Sequence, residues 1–337
     1  MKQLLDSITK RLETGEPVVM VSVIASSGST PRGAGAMMAV FADGGFAGTI
    51  GGGAVEYEAQ KQAGAMFDSK ESHISSYTLA KNDVADLGMI CGGDVTVCYE
   101  YIDPADSRNL ELYSYMRSIL DKNENAWIVR RLEGEKTPET AVVDGAGLHF
   151  ALLLKESDLT GLLGNAPELT DGEVIFYTEP LTRAGRVYVF GGGHVAQELV
   201  PVLSHVGFSV VVYEDRENFA REELFPGVAD IILNDFRKIS ERITVGTADY
   251  VVVMTRGHQM DYEVLEQMLR TQTRYVGCIG SAKKVEATKK RLLEAGVPET
   301  ELGKLYSPIG LKIKAETPAE IAISIAAEMI LFRAENL

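Results

Sequence analysis

The residues best suited to chemistry in this sequence are glycines placed where strands run into helices, joined by a cysteine and a few charged side chains. Gly191, Gly192 and Gly193, followed by His194, Val195 and Ala196, give G-x-G-x-x-A directly after RVYVF and before QELVPVLSHVG. At a strand-to-helix turn this spacing keeps the bend tight, lets the backbone approach a pyrophosphate, and aims free N–H groups and the helix dipole at negative charge. FSVVVYEDR then ends in Glu214 and Asp215, at the spacing of the carboxylate that takes ribose hydroxyls in NAD(P) or another dinucleotide. Glu214 is the better placed of the two because it comes straight off the strand. The same glycines also suit close helix-on-strand packing with no nucleotide. Arg216 either pairs with Glu214, accepts a phosphate, or is a solvated surface charge.

Two stretches of the first half have a similar character, SSGSTPRGAG at 26–35 and GTIGGGAVE at 48–56. Gly51, Gly52 and Gly53 precede a helical pattern, so amides there can cradle an anion, and Arg32 can supply a fixed positive fork. Two turns in which glycine meets only a backbone need explain the same residues. Cys91, Gly92 and Gly93 stand in MICGGDVTVCYEY at the entry to a strand. Neighbouring amides at such an entry favour the thiolate, the form that attacks sulfur or binds soft metals. Cys98, inside the strand pattern, and Cys278, in RYVGCIGS, read as small buried hydrophobes. The cysteine spacing lacks the close pairs of structural zinc sites. His258 follows DYVVVMTRG at the expected carboxyl edge of a sheet, where ligands of open α/β folds bind.

The elements that must position these residues define an α/β protein: an N-terminal α/β domain followed by a C-terminal Rossmann-type doubly wound parallel sheet domain. In the first half, helices are expected over 2–14, 54–67 and 105–121, with strands at VVMVSVIA, AMMAVFADG, HISSYTLA, DVTVCYEYI, NAWIVRRLEG and LHFALLL. The pattern loosens over 156–182, rich in Pro, Gly, Asn and Asp, so the domains are expected at 1–155 and 183–337 with a linker between. In the second half RVYVFG, FSVVVYE, ADIILND, DYVVVM and RYVGCIG alternate with helical segments, as doubly covered parallel strands do. The chain closes on a helix with Thr317 as N-cap, Pro318 at its first position and Glu320 completing a capping box.

Composition narrows the partners. The 337 residues carry 33 Lys plus Arg against 48 Asp plus Glu, a net charge of −15 that repels phosphate backbones, so nucleic acid is not an expected partner. No apolar run is long enough to span a bilayer, so no membrane association is expected. The N-terminus lacks the basic head and apolar block of a secretory signal, and three sparse cysteines suit a reducing compartment. A cytoplasmic location is the expectation.

Taken together, STPRGAGAMMAV, GTIGGGAVE, CGGDVTV, VYVFGGGHVA, TRGHQMD, VGCIGSAKKV and SPIGLKIKAETPAEIAISIAAE resemble the xanthine dehydrogenase accessory family of the XdhC/CoxI type, in that family's order and in both halves. The resemblance implies an accessory protein rather than an enzyme. It implies binding of the molybdenum cofactor (molybdopterin), assistance with its sulfuration by a cysteine desulfurase, and insertion into a molybdenum hydroxylase such as xanthine dehydrogenase. It also implies a homodimer. Cys91 in CGGD matches the motif cysteine and is the expected contact with cofactor, transferred sulfur or the metal itself. The PRGAG and GTIGGG loops match segments for the pterin phosphate. Lys314 departs from the family run, where glycine is expected. The Rossmann half alone supports two other readings, an NAD(P)-dependent oxidoreductase, for which only His258 is placed as a general acid, and a nucleotide-sensing regulatory protein.

Overall fold

The computed structural model describes residues 1–78, 93–134, 137–256 and 258–336, without the side chains of 258–259 and 282–284. The chain divides into two compact units, Met1–Arg183 and Ala184–Leu337.

The first unit opens with α1 (Lys2–Glu13), whose Leu4, Leu5, Ile8 and Leu12 recur at helical spacing and are all buried. Strands β1 (Val18–Gly28), β2 (Met37–Phe41) and β3 (Phe46–Thr49) lead to α2 (Gly53–Ser69), then β4 (His73–Thr78) and β5 (Gly93–Ile102). These strands form an antiparallel sheet in the order β3-β2-β1-β5-β4. The unbroken apolar run of β1 follows from cover on both faces. Val18 and Met20 pack with α1, whereas Val19, Val21 and Val23 pack against Val55, Ala59, Ala63 and Met66 of α2.

A second antiparallel sheet, β8-β7-β6-β10-β9, follows α3 (Ser107–Ile119). Its strands are β6 (Ala126–Leu132), β7 (Glu139–Asp144), β8 (Gly147–His149), β9 (Glu168–Leu169) and β10 (Ile175–Thr182). Two expectations are corrected here. The stretch 156–182 is no simple linker, because β10 pairs along β6 from Ile175 opposite Leu132 to Thr182 opposite Ala126. Polar residues at its buried positions, Thr178 and Glu179, hid it from any apolar pattern. The strand expected over LHFALLL stops at His149, and Leu152 and Leu153 are exposed. The amides of Leu152, Leu153 and Leu154 all donate to Glu139 Oε1, so that backbone is tied to a carboxylate instead of a ladder.

The second unit is a six-stranded sheet in the order β13-β12-β11-β14-β15-β16, parallel throughout. Its strands are β11 (Arg186–Phe190), β12 (Ser209–Glu214), β13 (Asp230–Leu233), β14 (Tyr250–Val253), β15 (Tyr275–Cys278) and β16 (Leu305–Tyr306). The helices are α4 (His194–His205), α5 (His258–Met268), α6 (Ala282–Glu294), α7 (Glu299–Leu302) and α8 (Pro318–Glu335). Strand order reverses between β11 and β14, which is the switch point where ligands of such sheets bind. Val187 and Val189 pack toward Leu199 of α4 and Met329 of α8, while Tyr188 and Phe190 pack toward Leu265 of α5 and Leu292 of α6. This double cover explains the near-continuous valine runs. The closing helix carries the expected capping box: Glu320 N donates to Thr317 Oγ1 at 3.3 Å, and Thr317 N to Glu320 Oε2 at 3.0 Å.

Candidate functional site

In the first unit the sheet brings three glycine-bearing segments to one end. Gly28 at the end of β1 pairs with Gly93 at the start of β5, and a Cβ on Gly93 would lie 2.3 Å from Ser27 O. Thr49, at the end of β3, sits opposite Met37, where β2 begins. Gly51 (φ 124°) closes the arrangement, since a Cβ there would meet Pro31 Cβ at 2.7 Å and Arg32 N at 3.2 Å. The 26–35 loop, the Gly51–Gly53 loop and the strand entry at Gly93 are therefore neighbours. Arg32 is exposed beside the glycine loop, and Gly52 (φ 74°) has open space where a Cβ would stand. Cys91 and Gly92 lie outside the described residues; Gly93 follows them directly in sequence.

The amides of this loop are not all turned outward, contrary to the simplest reading of the triple glycine. Glu56, in the first turn of α2, accepts from Ile50 N and Gly52 N, both at 3.0 Å, and from Thr49 Oγ1 at 2.5 Å. Gly51 N donates to Thr49 Oγ1 at 3.1 Å. Burial works to raise the Glu56 carboxyl, but the Thr49 hydroxyl and the loop amides outweigh it and hold the carboxyl below its ordinary range. Thr49 and Glu56 were not singled out from sequence. The available signal was an acidic residue in the first turn after a glycine run, the pattern of a self-capped helix start.

Behind the first loop lies a buried ionic cluster. Gly35 (φ 90°) faces Pro167 and Glu179, with a virtual Cβ 3.0 Å from Pro167 Cγ and 3.5 Å from Glu179 Oε2. Arg130 of β6 binds Glu179 Oε1 at 3.0 Å and lies 3.7 Å from Glu100 Oε2, while Thr140 Oγ1 donates to Glu100 at 3.0 Å and Tyr177 to Glu179 at 3.1 Å. Burial pushes both carboxyls up, and the Arg130 charge opposes it. Cys98 is sealed nearby with Ile24, Leu132 and Tyr177, and burial pushes its thiol up to about 12. It is the inert packing thiol that its place in the strand suggests.

In the second unit Gly191 (φ 108°) brings the first turn hard against β14, a Cβ there lying 2.5 Å from Met254 O. His194 is exposed at the first position of α4, with Gly193 as its N-cap. His258 opens α5, and its side chain is outside the described residues. Glu214, the expected ribose acceptor, is fully buried and turned inward. Gly192 N donates to its Oε2 at 2.6 Å, and Arg216 grips it with Nε at 2.8 Å and Nη2 at 2.9 Å. Burial works to raise this carboxyl, yet Arg216, Asp215 and the Gly192 amide bring it down to about 2. Arg216 is thus a partner of Glu214 and not a free surface charge; its guanidinium also stacks on Phe219, 3.9 Å from the ring centre. Cys278 is buried at the end of β15, its thiol 3.5 Å from Ile279 O, beside Asp261 and Ser307.

Among the described residues no helix is long and apolar enough to cross a membrane. Residues 187–329 match the XdhC Rossmann domain, and residues 11–78 match the XdhC and CoxI family. The chain is 27% identical to a Bacillus subtilis (strain 168) protein named as a probable xanthine dehydrogenase subunit, over 98% of this chain and 96% of that one. It is 23% identical to the molybdenum cofactor insertion chaperone PaoD of Escherichia coli (strain K12), over 98% and 88% of the two chains. A crystal structure described as a xanthine dehydrogenase from Bacillus halodurans superimposes with a TM-score of 0.82 at 27% identity, covering 100% of this chain and 96% of that one. Both units are thus similar, in order, to proteins of the XdhC and CoxI family.

Proposed function

We propose that this chain is a maturation protein for a molybdenum hydroxylase of the xanthine dehydrogenase type, and that it holds the molybdenum cofactor at the glycine-rich end of the first sheet. The observation that carries the reading is the meeting of Arg32, Gly51–Gly53 and Gly93 at that end, with Cys91 two residues before Gly93 in sequence. Arg32 offers a planar fork to the pterin phosphate, and the open backbone at Gly52 lets the group approach closely. Cys91 supplies the soft donor that a dithiolene-held metal or a transferred sulfur requires. The names of the relatives, one a molybdenum cofactor insertion chaperone and the other a xanthine dehydrogenase subunit, point the same way.

The finer assignments belong to the same proposal: sulfuration with a cysteine desulfurase, delivery to the hydroxylase as a cytoplasmic homodimer, and no turnover of a metabolite. The test is anaerobic isolation of the protein from cells making the cofactor, with molybdenum and pterin measured per chain. Wild type retains both, Arg32→Ala retains less at unchanged thermal stability, and Arg32→Lys recovers part of the loss. Equal retention by Arg32→Ala and wild type would remove Arg32 from the site, and no retention by wild type would remove the proposal.

A further inference from the structure

A Rossmann half places the ribose of a dinucleotide between the glycine turn and an acidic residue ending the second strand, with the pyrophosphate over the turn. In this chain the acidic residue and the turn at Gly192 are both engaged by the chain itself. Glu214 accepts from five donors: the amides of Gly192, Asp215 and Arg216, and Nε and Nη2 of Arg216. A carboxylate has roughly four lone-pair sites, so no acceptor capacity is left for ribose hydroxyls. The segment after β12 then crosses the turn. A Cβ on Gly192 would stand 2.4 Å from Phe219 O and 3.1 Å from the Phe225 ring, and Phe225 is fully buried. Arg216, laid on Phe219, holds this cover and the carboxylate together.

We infer that the turn at Gly192 is a self-liganded site: the Glu214 carboxylate is its anion and has no acceptor left for a ribose, the 217–225 segment covers Gly192, and the second unit holds no dinucleotide. Gly191 and Gly192 each keep a structural reason. Gly191 allows contact with Met254 O, and Gly192 allows contact with Phe219 O. Seating a nucleotide would require Arg216 to leave a buried carboxylate and the cover to lift, which exposes an ion pair to no gain. Reduced nicotinamide is then neither a reactant nor a signal for this protein, whichever cargo the first unit carries.

Titration of the full chain with NAD+, NADH, NADP+, NADPH and FAD, followed by calorimetry and by nicotinamide fluorescence, tests this directly. The expected result is no saturable signal with any of the five, while Arg216→Ala lowers the thermal midpoint by several degrees because it opens the latch. Saturable binding near one nucleotide per chain would overturn the inference, and so would an Arg216→Ala protein as stable as wild type.

Discussion

Arg130 Nη1 lies 3.0 Å from Glu179 Oε1, and neither side chain reaches solvent. With Glu100 also facing the guanidinium, one cation serves two carboxyls in the interior of the first unit. Removing one partner of such a group leaves an uncompensated buried charge, which costs about 3–5 kcal/mol. Arg130→Met should therefore shift the urea midpoint of the first unit strongly downward, and adding Glu100→Gln and Glu179→Gln should recover part of the loss. A single variant as stable as wild type would mean that the cluster contributes no net stability.

Glu56 binds the loop at Ile50 and Gly52, so replacing it frees two amides and the Thr49 hydroxyl. Glu56→Ala should cost about 1–2 kcal/mol, the range for losing a cap. Hydrogen exchange gives a sharper readout: the amides of Ile50 and Gly52 should exchange faster in the variant, with those of β1 unchanged. Unaltered exchange at Gly52 would show that Glu56 does not restrain the loop.

Cys98 and Cys91 should differ in what their replacement costs. The Cys98 thiol is sealed and pushed up to about 12, so it should resist iodoacetamide in the native protein at neutral pH and react in urea. Cys98→Ala should lose roughly 1 kcal/mol through packing. Cys91→Ala should keep wild-type stability and fail to activate the hydroxylase. Normal activation by that variant would clear Cys91 of any role in cofactor handling.

Glu214 gives a signed pH dependence. Its carboxyl is held at about 2 in the fold, against about 4.3 in an unfolded chain. The ionised form is therefore the one the fold favours, and the associated stability is complete above the unfolded value and lost as pH falls toward 2. The difference in thermal midpoint between wild type and Glu214→Gln should be largest near neutrality and shrink between about pH 4 and pH 2. A difference that grows on acidification would reverse the assignment.

What could be read in advance followed from how much of each signal was local. RVYVFGGGHVA carries strand, turn and helix in a dozen neighbouring residues, and the parallel sheet built around it matches. Thr317, Pro318 and Glu320 likewise define their cap within four positions. In contrast, β10 hides because Thr178 and Glu179 sit at buried positions, and their burial is compensated by Leu162 O and Arg130, far away in sequence. The candidate site was legible as separate loops. Their meeting depends on long-range pairing of Gly28 with Gly93 and contact of Gly51 with Pro31, which no single segment reveals. The inward turn of Glu56 and Glu214 was missed for a related reason: an acidic residue near a glycine turn can face a ligand or the turn itself, and only geometry separates the two.

The place of β10 in the second sheet also dictates how the protein can be cut. A fragment ending at residue 155 would strip β9 and β10 from β6, baring an apolar edge that includes Ile128 and Val129 and stranding Arg130 without Glu179. Such an edge recruits other chains, so that piece should aggregate on expression, whereas one running through Arg183 keeps the edge paired.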